Sequence, residues 1–166
     1  MVVLGLGILL GVFLGDLWMK NKIEAGFREK ETPKKDGWII IKKHHSRGAI
    51  MNFGETWGPG SGGRKICGRV TGQKLVTILS VLLCVLLTAV YIICLTKRGS
   101  GLLYLGLSFL LGGAFSNTYD RLKRKYVVDY FSFQTKWSRF NRIVFNISDF
   151  CIMIGAMLSI IGYMKE

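Results

Sequence analysis

Residues Leu75–Leu95 read LVTILSVLLCVLLTAVYIICL, 21 positions without a charged side chain. A helix of that length rises about 31 Å at 1.5 Å per residue, and the hydrocarbon core of a bilayer is about 30 Å thick. A strand would be far shorter, and a helix of a soluble domain would carry charge on its outer face. The stretch is a membrane span, which excludes a soluble globular domain and a disordered basic tail. Working outward, three further runs hold almost no charge: Met1–Gly15, Leu102–Phe115 and Ile143–Met164. The expected spans are 2–19, 75–95, 101–119 and 143–164, joined by a polar loop 20–74, the turn Thr96–Ser100 and a surface segment 120–142. The short turn makes the second and third spans an antiparallel hairpin. The expected fold class is therefore an all-α membrane protein of four transmembrane helices, a single membrane domain over 1–166.

The chain carries 23 Lys and Arg against 10 Asp and Glu, a net charge of +13. The positive residues fall in the segments between spans, 13 of them from Lys20 to Lys74 and seven from Arg121 to Arg142. Basic residues that flank apolar spans favour anionic lipid headgroups as partners over nucleic acid. The chain is expected to act as a monomer.

Several features carry less. The first 15 residues lack a basic leader and a small-residue cleavage site, so they read as a retained first span. Cys84, Cys94 and Cys151 lie inside apolar runs and Cys67 in a loop, with no paired spacing and no redox role. His44 and His45 are adjacent without further ligands, so no metal and no cofactor is expected. The stretch Trp38-Ile39-Ile40-Ile41-Lys42, between Gly37 and Gly48, predicts one or two short strands. Gly58–Gly63 is a flexible loop that lacks the Lys and Ser/Thr of a phosphate loop.

The acids are more telling. After Glu55 the only ones are Asp120, Asp129, Asp149 and the terminal Glu166. Three of these lie around the exit of the third span and the entry of the fourth, which antiparallel spans bring to one membrane face. Asp149, six residues into the expected fourth span, would sit about 9 Å along the helix. Such an intramembrane acid is a functional candidate, with a plain contact between helices as the alternative. Asn146 lies three residues before it, on the same helix face. Two neighbouring aspartates resist ionising together, so one can accept a proton from water while the other donates to a carbonyl oxygen. Peptide hydrolysis without metal or covalent intermediate uses that pair. Asp16 and Lys20 lie four residues apart in the first span, which fits an interfacial ion pair or a brace beside a site.

The second half resembles the lipoprotein signal peptidase (signal peptidase II) family of bacteria. Gly112-Gly113-Ala114-Phe115-Ser116-Asn117-Thr118-Tyr119-Asp120-Arg121, followed by Val127-Val128-Asp129, is similar to the family's GG-x-x-GN-x-x-DR…VVD signature. Phe145-Asn146-Ile147-Ser148-Asp149 with Gly155 is similar to FN-x-AD…G. Asp16 and Lys20 resemble its D-x-x-x-K, and Gly48-Ala49 its N-x-G-A-A-F box. The resemblance implies an intramembrane aspartic endopeptidase in the bacterial cell membrane, with a small extracytoplasmic β-cradle beside its four helices. Such an enzyme removes the signal peptide of a membrane-embedded prolipoprotein just before its lipidated Cys. It also implies Asp129 and Asp149 as the catalytic dyad. Asn117, Asp120, Arg121, Asn146, Asp16, Lys20 and Gly48 would then support the site or the substrate.

The chain departs from these patterns. Ser46 stands where the family has Asn, Ser116 replaces Gly, Lys125 replaces a common Gly, and Ser148 replaces Ala. These changes leave room for a relative that binds lipidated peptides without cutting them. A small proton- or cation-coupled transporter using Asp149 is a third reading. Positive charge alone would place loops 20–74 and 121–142 in the cytoplasm, whereas the resemblance places them outside.

Overall fold

A computed structural model describes residues 2–26, 34–36, 39–46, 72–97, 100–133 and 143–165. They form four helices, α1 (Val2–Gly26), α2 (Gly72–Lys97), α3 (Gly101–Lys123) and α4 (Ile147–Met164), and three strands, β1 (Lys34–Asp36), β2 (Ile39–Ser46) and β3 (Val127–Phe133). The chain divides into two compact units. One holds Met1–Trp18, Ser80–Thr118 and Ile147–Glu166, and the other Met19–Leu79 and Tyr119–Asn146.

The first unit is helical. The segments Val2–Gly26, Gly72–Thr96 and Ile147–Met164 are each long and apolar enough to cross a membrane. Many of their exposed side chains are large hydrophobics, among them Leu10 and Leu14, Leu82 and Leu86, Met157 and Ile160. A helix facing lipid need satisfy only its own backbone. α3 differs: its 23 residues also suffice to span, but it carries Ser108, Ser116, Asn117 and Thr118, all of them buried. Helices of the same unit surround it. Leu103, Leu107 and Leu111 of α3 form a core with Tyr91 of α2, against which Leu9, Leu87 and Phe115 pack. On another side, a side chain at Gly155 of α4 would press within 2.6 Å of the Gly106 carbonyl oxygen of α3. Small residues let these backbones meet, which in lipid takes the place of a hydrophobic driving force.

The second unit contains an antiparallel sheet of order β1-β2-β3. β2 falls within the strand expected between Gly37 and Gly48. Ile40 pairs with Ser132, His44 with Asp129 and Ser46 with Val127, with an irregularity between Ile41 and His44. β3 lies in the stretch read from the sequence as a surface segment, yet Val127 to Tyr130 are buried. Consecutive buried residues mark a strand covered on both faces, which a search for alternation does not find.

Three helix boundaries differ from the expected spans by four residues or more. α1 continues past Met19 to Gly26 and α3 past Tyr119 to Lys123, and both extensions are anchored by buried residues, Lys20 and Ile23 on α1 and Asp120 on α3. α4 starts at Ile147 instead of Ile143, since Phe145 is held in extended pairing: its N–H donates to Phe131 O at 2.6 Å, and Phe131 N–H donates back at 2.8 Å. Asp149 consequently stands in the first turn of its helix rather than two turns in, and Asn146 precedes the helix. A carboxylate in the first turn faces the positive end of the helix dipole, a favourable place for it.

α3 ends through Asp120, whose carbonyl accepts from Arg124 N–H at 2.7 Å and Lys125 N–H at 3.1 Å. Lys125 then has φ 70°, the left-handed conformation that closes many helices and favours glycine. Lys125→Gly is expected to raise unfolding stability by about 0.5–1 kcal/mol, the relief of a left-handed Cβ less the greater freedom of unfolded glycine. Thermal unfolding in detergent micelles checks this.

Candidate active site

The first unit holds a buried acid on α1. Asp16 is 1% exposed. Its Oδ2 accepts from Ser116 Oγ of α3 at 2.6 Å and from Ser148 Oγ of α4 at 2.5 Å. One residue further along each of those helices, Asn117 Nδ2 donates to Asp149 Oδ1 at 2.9 Å. α3 and α4 are thus joined through Asp16 of α1 at one position and directly at the next. Gly113 admits the approach, since a Cβ there would lie 2.6 Å from Ser148 O.

The second unit holds an equivalent arrangement. Lys20 and Asp120 are fully buried, with Lys20 Nζ 3.1 Å from Asp120 Oδ2. Arg124, one turn on, places Nη1 3.2 Å from Asp120 Oδ1, and Val128 N–H reaches Oδ2 at 3.4 Å. Asp120 therefore links α1, the end of α3 and the start of β3. On β3, Asp129 Oδ1 accepts from Asn146 Nδ2 at 2.7 Å. Nearby, Glu24 takes the Tyr126 hydroxyl at 2.8 Å, His45 Nε2 at 3.1 Å and Lys43 Nζ at 3.3 Å. His45 stacks on Tyr126 with ring centroids 4.1 Å apart.

The sequence-derived residues are thus distributed over both units. Asp16, Asn117 and Asp149 stand in the first, and Lys20, Asp120, Asn146 and Asp129 in the second. Arg121 is partly buried in the last turn of α3. Gly48, Cys67 and Gly58–Gly63 lie outside the described residues. Asp16 and Lys20 are not at a solvated helix end, as an interfacial pair would be; both are enclosed and each meets a side chain of α3. Chemically, each of the two aspartates has one carboxylate oxygen oriented by an asparagine amide.

Sequence reasoning missed the partners of these groups. Ser116 and Ser148 stood out only as departures from a motif. His44 was set aside with His45, yet it lies directly across from Asp129 in the sheet register, where side chains share a face. Glu24 gave no signal, because its partners are 19 to 102 positions away.

Two expectations follow from this geometry. Lys20→Met removes the fully buried cation on Asp120 and leaves Arg124 as the remaining one, so it should lower stability by about 3 kcal/mol, the low end for breaking a buried pair. Lys20→Met/Asp120→Asn should recover part of the loss, as measured by unfolding in micelles. For Tyr126, the hydrogen bond to Glu24, then burial, then that carboxylate's charge hold the phenol above its usual 10.0. The contact's stabilisation is complete below pH 10 and fades as pH rises through the raised value. Ultraviolet titration should show one phenol moving back down in Glu24→Gln and absent in Tyr126→Phe.

Comparisons with known proteins identify the family and the fold. The family model for signal peptidase (SPase) II matches residues 8–165. The lipoprotein signal peptidase of Clostridium acetobutylicum is 34% identical over 128 residues, 76% of this chain and 75% of that protein. The one of Clostridium tetani is 26% identical over 162 residues, 96% of this chain and 90% of that protein. Two solved structures described as bacterial membrane enzymes superpose with TM-scores of 0.75 and 0.74 at 19% identity. The first covers 99% of this chain and 90% of its own, the second 100% and 96%, and both show the same fold. This multi-pass membrane chain belongs to the signal peptidase II family.

Proposed function

We propose that the chain is an aspartic endopeptidase that cuts the signal peptide from diacylglyceryl-cysteine prolipoproteins, with Asp129 and Asp149 as its acid–base pair. Membership of a protease family supports peptide cleavage, and the names of the relatives support a lipoprotein substrate. The observation that carries the dyad is the matched pair of amide donors, Asn146 on Asp129 and Asn117 on Asp149. A carboxylate that must accept or deliver a proton along one direction works only if its rotation is restrained.

In this reading the ionised member takes a proton from water, and the water oxygen bonds to the scissile carbonyl carbon. The protonated member gives its proton to the carbonyl oxygen. The tetrahedral gem-diol then collapses: one hydroxyl returns its proton to the carboxylate that had given one up, the C–N bond breaks, and the leaving nitrogen takes the proton first removed from water, so that a carboxylic acid and an amine leave and the pair regains its starting protonation. No metal or cofactor enters the reaction. The substrate reaches the site within the bilayer of the bacterial cell membrane. The site opens to the extracytoplasmic side, where exported lipoproteins emerge, and basic loops contact anionic lipid.

The test uses purified chain in lipid nanodiscs with a peptide carrying a diacylglyceryl-modified Cys. Asp129→Asn and Asp149→Asn should each reduce kcat on the order of 10²–10⁴-fold. The native rate should follow a bell-shaped pH profile, whose two limbs belong to the pair. Tight peptide binding with no product from native protein would sink the reading in favour of a non-cutting relative.

A further inference from the structure

We propose that Ser116 and Ser148 act together as positioning residues, closing a hydroxyl clasp on Asp16 that sets the orientation of Asp149. The proposal rests on the reading of Asp149 as a reacting acid. At these two positions the family signature resembled by this chain has Gly and Ala, neither of which has a side-chain donor. Here both hydroxyls donate to the same atom, Asp16 Oδ2, at 2.6 and 2.5 Å. The two departures are therefore one linked feature rather than two independent drifts.

The clasp has a mechanical consequence. An oxygen with two lone pairs can hold both hydroxyls at once, and Asp16, Ser116 and Ser148 are all buried. A buried carboxylate is costly unless it keeps its donors, so the three side chains stay together. Ser116 precedes Asn117 and Ser148 precedes Asp149, the two ends of the 2.9 Å amide–carboxylate contact. α1 thus determines the rotation and height at which α3 and α4 present that contact. Gly113, where a Cβ would meet Ser148 O at 2.6 Å, leaves the helices no bulky spacer that could do this instead.

The experiment compares native protein with Ser116→Ala/Ser148→Ala and with Ser148→Thr, which keeps a hydroxyl. Three readouts are taken: kcat and KM on the lipidated peptide, thermal unfolding, and the side-chain amide signal of Asn117 in ¹⁵N-Asn-labelled protein, assigned with Asn117→Ala. The double variant should lose about ten- to a hundredfold in kcat with KM nearly unchanged, the signature of a displaced reacting group. Its Asn117 signal should shift, while Ser148→Thr keeps native values of both. If the double variant fails to fold, Ser116→Ala and Ser148→Ala singly should each move the signal in the same direction. An unmoved Asn117 signal overturns the clasp, as does a Thr variant as impaired as the double one, or a kcat that falls only in step with unfolding. A native chain that cuts nothing while the signal responds as described overturns the peptidase reading and leaves the clasp standing as the device that orients Asp149.

Discussion

An acid and a base buried one turn apart on a membrane helix must each be given partners, and that requirement organises this protein. Asp16 and Lys20 stand on α1, which is otherwise apolar enough to lie in lipid. Neither can stay charged against hydrocarbon without a large desolvation cost. Asp16 is answered by hydroxyls of α3 and α4, and Lys20 by the carboxylate of Asp120 on α3. Removing the partners would leave either helix free to rotate in the bilayer, because packing between apolar helices in lipid has little directional preference.

The burden falls on α3. It supplies Ser116, Asn117 and Asp120 from little more than one turn of one helix, and each takes a partner from another element: Asp16 of α1, Asp149 of α4 and Lys20 of α1. A helix can afford that polarity only where protein surrounds it, and the buried row from Leu103 to Thr118 shows that this one is surrounded. Close approach through glycine and polar exchange through short side chains are two sides of one arrangement. Small residues bring the backbones together, and short donors then reach acceptors on the neighbour.

Much of this was legible in the residues. Runs without charge are unambiguous because water and hydrocarbon differ so strongly as solvents, so Leu75–Leu95 gave α2 to within three residues at each end. The aspartates were conspicuous for the same reason: acids are rare in the second half, and each costs free energy to bury. Lys125 was visible as a residue standing where glycine is common, and its φ of 70° supplies the reason for the preference. Boundaries were less legible. α4 begins late because Phe145 pairs with Phe131, a contact that no local pattern around residue 143 encodes.

The lengths of the charge-free runs and the placement of charge, being properties of the chain as written, determined that this is a membrane protein with an acid-bearing motif in its second half. Which donor meets which acceptor was decided only by the tertiary structure. Ser116 and Ser148 are 32 positions apart in the chain and converge on an oxygen of Asp16, separated from them by 100 and 132 positions. A hydrogen bond depends on a few tenths of an ångström, and that precision arises when helices pack, not from the composition of any one of them.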